Sequence, residues 1–530
     1  MDEQIEESDR KLIELKLARN SFTNKFLCVP VEIIGHIFVL IIARGEVPYF
    51  QSPKKGSYNF RLVCRHWSEV ASNTPELWRF WGITLKGWEG LCHRAGPPVD
   101  LVLAMHKSGQ AETSLSASAE LLSLSIPLSG ELKDRANQDM IRRIHLMSDI
   151  PDIMGSILSS VTPDGEDVQE KSIESFIIYM PSMPIPEELS NFFARLRLPL
   201  LRRINICGIP EAPLWHHIKS ALIGTKLTNL SLQPQESSLP LTMPQLLSIL
   251  KANPNLQYLT LYGVLPGKIE DIEIPGPRLS HLREVYLHGN FGSILQLLKL
   301  LESPTLLDSM GLDMEDAMLS DIHQMFIPYM KEFFRCHDRF KEPLRVTTET
   351  TGNSVSMEVF PTGRHRKAGQ RILPLAEFST YIIDQVDELD LRHLAVDLMK
   401  CVPQEHIGTL EMEYTPEIPE DFFSAMPELN FLGLEYAELS DGFMRVDSDG
   451  QQSGWESLPS LQSLHLAQAI VEDDNWQPLI TYLEHQCPDD QTLSLYVSSV
   501  SVIPNDVYNQ IQELVGKFEY SETDWDEDRW

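Results

Sequence analysis

One short pattern constrains this chain more than any other: an apolar residue, two others, an apolar residue, one other, an apolar residue. It appears as LRRINI from Leu201, LTNLSL from Leu227, LQYLTL from Leu256, LREVYL from Leu282, LNFLGL from Leu429 and LQSLHL from Leu461. The first four starts, 201, 227, 256 and 282, are separated by 26, 29 and 26 residues. A fixed period of this size marks a supersecondary unit that is stacked rather than a chain folded once. Within each run the last two apolar residues are two apart, the spacing of one face of a strand. Between runs lie helical stretches such as MPQLLSILKANPNL, residues 243–256, where Leu246, Leu247 and Leu250 form a stripe and Asn253-Pro254 stops the helix. A strand and a helix in each unit, repeated, predict an α/β fold with parallel strands. No unit of this kind buries its apolar face alone, so its neighbours must supply the rest of the core.

This pattern resembles the leucine-rich repeats. The resemblance implies an irregular solenoid over residues 141–515, with strands lining a concave face and helices outside. Weaker copies start near Ile141 (IRRIHL), Ile173 (IESFII), Leu307, Leu389 and Leu410. Between 310 and 385 the rhythm fails: PTLLDSMGLDMED is followed by KEFFRCHDRFKEPLRV and an alternating run around Val355–Val359, which reads as degenerate repeats with an inserted loop. Residues between the strand leucines face outward, and Thr260, Tyr262, Tyr286, His288, Glu435 and His465 are the candidate target-binding positions.

Residues 26–85 follow different rules. Pro30 suits a first helical turn, because its fixed φ is helical and its missing N–H has no partner there. Ile33, Ile34, Ile37, Phe38 and Ile41 then fall at helical spacing, and Val31, Val39, Leu40 and Ile42 add apolar surface elsewhere, so the helix reads as buried nearly all round. A second helix carries Phe60, Val63, Cys64, Trp67 and Ala71, and Thr74-Pro75 caps a third, PELWRF. Val-Pro-x-Glu-Ile-Ile-x-x-Ile-Phe, then Leu-Val-Cys-Arg-x-Trp, then Pro-x-Leu-Trp, closely resembles the F-box. Val29 stands where that family usually has Leu, and the Arg44–Ser57 loop is longer than usual. The resemblance implies a three-helix module that docks on the Skp-type adaptor of a cullin–RING ubiquitin ligase. It places Pro30, Ile33, Ile34, Ile37, Phe38, Val63, Cys64, Trp67, Leu77 and Trp78 at or near that contact.

The remaining segments are a leading helix (1–25), a connecting segment (86–140) in which Val99, Leu101 and Leu103 alternate as a strand, and an aperiodic acidic tail (516–530). Charge narrows the function classes. With 44 basic against 76 acidic residues the formal net charge is −32, which argues against binding a phosphate backbone. The seven cysteines are scattered without a CxxC, so neither a disulfide framework nor a zinc site is indicated, and a reducing cytoplasmic or nuclear setting fits. No apolar run reaches the length of a membrane span, and MDEQIEESDRKL lacks a signal-peptide pattern.

No phosphate loop, HExxH, GxSxG or GxGxxG is present, so neither catalysis nor a cofactor is expected. Residues 445–456 place Asp447, Asp449, Gly450 and Glu456 as in a calcium loop, but Arg445 stands where the first ligand belongs, which leaves a solvated acidic loop. The basic run 363–371, GRHRKAGQR, reads as a surface loop. The two resemblances together imply a substrate receptor: an F-box on the adaptor and repeats on an unidentified target, with no nucleic acid or membrane partner expected. The alternative is a non-catalytic repeat scaffold whose F-box-like helices cap the array.

Overall fold

Alternation decides the strands, and local capping decides where the chain turns back. The computed structural model describes residues 29–44, 80–82, 99–105, 141–148, 151–162, 169–179, 187–209 and most of 225–521, with isolated positions between 11 and 222. Contacts divide the chain into two units, Met1–Leu227 and Thr228–Trp530.

In the first unit, α1 (Val31–Arg44) is followed by β1 (Phe80–Gly82), β2 (Val99–Met105), β3 (Ile141–Ser148), α2 (Pro151–Val161), β4 (Gln169–Glu170), β5 (Ser175–Tyr179), α3 (Glu187–Arg195), β6 (Leu196–Arg197) and β7 (Arg203–Ile209). Strands β1, β2, β3, β5 and β7 pair in that order, all parallel, while β4 and β6 form a separate short pair. Phe176 of β5 meets Phe192 and Phe193 of α3 with ring centroids 4.9 and 5.1 Å away.

The second unit runs β8 (Asn229–Pro234), α4 (Met243–Ala252), β9 (Tyr258–Tyr262), β10 (Glu284–Asn290), α5 (Phe291–Leu300) and β11 (Ser309–Ala317). A helical segment from Leu319 then widens through a π turn at Ile322–Phe326, just before Pro328, and continues as α6 (Ile327–Cys336). There follow β12 (Leu344–Thr351), β13 (Ser354–Pro361), β14 (Ala376–Ile382), α7 (Glu388–Met399), β15 (Ile407–Glu413), β16 (Phe431–Glu435), β17 (Ser463–Ala469), α8 (Gln477–Gln486), β18 (Ser494–Ser499), α9 (Asn505–Leu514) and β19 (Lys517–Ser521). Their spatial order is β8-β9-β10-β11-β14-β13-β12-β15-β16-β17-β18-β19, parallel except where β13 runs against β12 and β14.

All six leucine triplets lie where the period puts them. Their first, fourth and sixth residues are no more than 8% exposed, from Leu201, Ile204 and Ile206 to Leu461, Leu464 and Leu466. The residue after each first leucine repeats one hydrogen bond: Gln257 N–H donates to Thr228 O, Arg283 N–H to Gln257 O and Gln462 N–H to Asn430 O, each at 2.8 Å. Capping fixes the helices. Thr242 and Gln245 make a reciprocal capping box on α4 at 3.0 and 3.4 Å, and Asn253 ends it. The last residue of β10, Asn290, caps α5 directly by accepting from the Gly292 and Ser293 amides.

Several expectations change. The stretch between 310 and 385 holds a meander of β12, β13 and β14, not an inserted loop between degenerate repeats. Thr351 and Ser354 pair across the two-residue loop Gly352–Asn353, with Gly352 at φ +58°. The weak repeat near Leu389 is helix α7, capped by Asp387, and the frame near Leu410 starts at Ile407, with Ile407, Leu410 and Met412 all buried. Residues 517–521 are not an aperiodic tail but strand β19, paired with β18. Phe80, expected to end a third helix, is extended in β1. Apart from α1, the helices expected in 26–85 lie outside the described residues, except that Trp67, Glu69 and Val70 are helical. The segments 363–371 and 445–456 also lie outside them. Among the described residues no helix is long and apolar enough to cross a membrane.

Leu287 in β10 has no exposed surface. Leu287→Ala is expected to destabilise the protein by about 2–5 kcal/mol, seen as a lower guanidinium midpoint by circular dichroism. Glu284→Gln on the other face of the same strand should stay within about 0.5 kcal/mol.

Candidate interaction surfaces

Helix α1 divides its apolar residues between two sides. Pro30 opens it, its carbonyl accepting from the Ile33 and Ile34 amides at 3.0 and 3.1 Å. Ile34 and Phe38 are buried with Val70, and Val29 and Trp67 pack against them. The Trp67 ring meets Phe38 edge-on at 5.1 Å. On the same side Gly35 lets the chain come close: a Cβ there would sit 2.7 Å from Thr74 Oγ1, which donates to Val70 O at 2.7 Å. The other side is open. Val31 is 49%, Ile33 52% and Ile37 41% exposed, so the helix is not buried all round as its composition suggests. The expected adaptor set therefore splits: Pro30, Ile33 and Ile37 are exposed, Ile34 and Phe38 are internal, and Trp67 is intermediate. The side chains of Val63, Cys64, Leu77 and Trp78 lie outside the described residues.

The second surface is the half-exposed face of the sheet in the second unit. Along β10, Val285 and Leu287 are buried while Glu284, Tyr286 and His288 remain partly exposed, and α5 packs against β10 and β11. Register brings four of the six expected target-binding residues together. Thr260 pairs with Tyr286, and Tyr262 with His288. The Tyr262 and His288 rings stack at 3.8 Å, 11° from parallel, and His288 Nε2 lies 3.4 Å from both Asp313 Oδ2 and Glu315 Oε1. Tyr286 lies across Gly311, where a Cβ would meet its ring at 2.5 Å. Glu435 and His465 share the face but belong to β16 and β17, six and seven strand positions from β10. His465 packs between Phe431 and Tyr496, with centroids 4.4 and 4.3 Å away, and its Nε2 is 3.1 Å from Ser463 Oγ.

Sequence reasoning missed the carboxylates on this face. Gly311 pairs with Glu377, Glu377 lies directly opposite Glu358, and Thr347 pairs with both Glu358 and Glu411. Arg345 Nη2 donates to Glu411 Oε2 at 2.9 Å. The strict alternation of SVSMEVF was the usable signal, since period two puts Ser356 and Glu358 on the side opposite Val355, Met357 and Val359. The local potential is negative: burial first, then Asp313 and Glu377, raises the Tyr286 phenol above its ordinary range. Among the described residues no group of three or more His, Cys, Asp or Glu is placed to hold a metal ion. Cys401 is no ready nucleophile, because burial pushes its thiol up to about 12.

A left-handed residue ends several strands seven positions after the first leucine. It is Gly208, Gly263 and Gly289 in three repeats but Tyr436 (φ +55°) and Gln468 (φ +49°) in two others. The turn is the same one: Gly263 N–H donates to His288 O and Tyr436 N–H to Ala467 O, both at 2.9 Å. Tyr436 is 37% exposed.

No known family's sequence profile matches this chain, and no curated protein matches it either.

Burial lowers His465 to about 4, with Glu519 opposing and Lys517 adding to the shift; His145 in the first unit is lowered to about 4 by burial, then by Arg203 and Arg143. Both rings stay neutral in the fold between their folded values and about 6.5, where the unfolded chain takes up protons, so stability falls as pH drops through that window. His465→Phe should match the wild type at pH 8. At pH 5 it should be more stable by about 1 kcal/mol, the shift being discounted for the ring's partial exposure. Urea melts at the two pH values check this.

Proposed function

We propose that the chain is the substrate-recognition subunit of a cullin–RING ubiquitin ligase, an F-box protein whose leucine-rich repeats bind a target. The observation that carries the reading is the division of α1. A helix whose Ile34 and Phe38 hold a local core while Val31, Ile33 and Ile37 stay open carries an apolar strip that has no use within the unit's described residues. The strip coincides with the segment that resembles the F-box, where the family meets its Skp-type adaptor.

The repeats support the second half of the reading. Their half-exposed face spans twelve strands of one unit and presents tyrosines, histidines and carboxylates that the core does not need. In this reading the chain does no chemistry. Binding the adaptor at one end and the target at the other raises the target's local concentration beside the ubiquitin-charged enzyme. In this reading the repeat array, a mostly parallel sheet with helices packed on it, serves as the solenoid that such receptors use.

The test is capture of a purified Skp-type adaptor by the full chain. Ile33→Glu with Ile37→Glu removes two exposed side chains and should leave circular dichroism unchanged. Each is expected to cost at least about 2 kcal/mol of binding, roughly 30-fold. Ile34→Ala is the control that disturbs the internal core instead. A folded wild-type chain that captures no adaptor while still retaining protein partners through its repeats would replace this reading with the scaffold alternative.

A further inference from the structure

The C-terminal ends of the parallel strands in the second unit carry an unusual set of side chains. Tyr262 ends β9 at 38% exposure, Tyr381 lies in the last residues of β14 at 54%, and Tyr436 follows β16 at 37%. Aromatic rings on strand ends contribute little to a core that is already filled from the other face. Tyr436 makes the case most sharply. Its backbone is in the left-handed region that favours glycine, and three other repeats have glycine at that place. A tyrosine kept there carries backbone strain without gaining burial.

Charge says what these rings would meet. Between Tyr262 and Tyr436 the strand ends carry Asp313 and Glu315 on β11, Glu349 on β12 and Glu435 on β16. Among the described residues of these strand ends, His288 is the basic side chain, and it already faces Asp313 and Glu315. Further along the face, Glu358 and Glu377 are placed directly opposite each other on neighbouring strands, which adds two carboxylates to it. Exposed tyrosine faces beside carboxylates suit lysine and arginine, which pair with the acid and lie over the ring.

We propose that this face of the sheet binds an extended, lysine- or arginine-bearing segment of a partner protein, laid across the strand ends from β9 to β16 with Tyr262, Tyr381 and Tyr436 as its aromatic contacts. This rests on the reading of the repeats as the target-binding part of the chain, and it names the chemistry of the target. Three strand positions separate β9 from β14 and four separate β14 from β16, so at about 4.8 Å per strand the row is about 34 Å long. An extended segment covers that in about ten residues at roughly 3.3 Å each.

The probe is a fluorescein-labelled decapeptide of alternating arginine and serine, titrated with the full chain and read by anisotropy; the same peptide with glutamate for arginine is the comparison. Saturable binding of the arginine peptide alone is expected. Tyr436→Gly should weaken it about fivefold, the worth of one cation–π contact, with the melting temperature held or raised. Asp313→Asn with Glu349→Gln should weaken it about tenfold. Asp506→Asn with Glu405→Gln removes the same charge on α9 and ahead of β15, and should leave affinity within about twofold. Equal loss from the two double variants, or unchanged binding by Tyr436→Gly, overturns the proposal. Adaptor capture measured on the same samples keeps the two readings apart. Failure of the peptide arms with capture intact removes only this partner class, and saturable peptide binding without capture removes only the ligase reading.

Discussion

Everything in the second unit depends on adjacent strands sharing one register. The hydrogen bonds that repeat from Thr228 to Gln257, and from Asn430 through Gln462 to Ser494, lock each triplet beside the next. Once locked, Leu259 pairs with Val285 and Leu261 with Leu287, and the buried face becomes continuous. A slip of one residue would turn every leucine outward and every tyrosine and glutamate inward. The same register that builds the core thus also builds the polar face. Thr260, Tyr286, Gly311 and Glu377 form a row because the leucines beside them must form one.

The meander of β12, β13 and β14 shows how far this constraint reaches. It interrupts the strand–helix rhythm, yet it does not interrupt the sheet, because β14 joins β11 and β12 joins β15 in parallel. The chain passes over two strand positions after β11 and fills them on the way back. Alternation in β13 keeps Val355, Met357 and Val359 on the buried side, so the core passes through the antiparallel strand unbroken. On the polar side, the three inserted strands bring Glu358 and Glu377 directly opposite each other.

The sequence was most readable where one periodicity decided the outcome. Six triplets, the helix over 243–252 and the strand at Val99–Met105 all follow from spacing and caps that act within a few residues. It was least readable where position depends on distant chain. Leu389 has the neighbours of a strand leucine but follows Asp387, whose side chain caps a helix. Lys517–Ser521 has no period of its own and becomes a strand because β18 offers an unpaired edge. Ile33 and Ile34 are adjacent isoleucines in one helix. Only the side on which Val70 and Trp67 pack separates the internal one from the exposed one.

The sequence by itself determined the α/β class, the parallel strands and the acidic balance, since periodicity and composition are local sums that need no neighbour. The tertiary structure alone decided which residues meet. It stacked Tyr262 on His288, set Asp313 beside them, and separated these by five strand positions or more from Glu435 and His465. The reason is that a face of a sheet is assembled across strands, at right angles to the chain. Residues 26 apart in sequence become neighbours there, and no pattern along the chain records the meander that moved the others away.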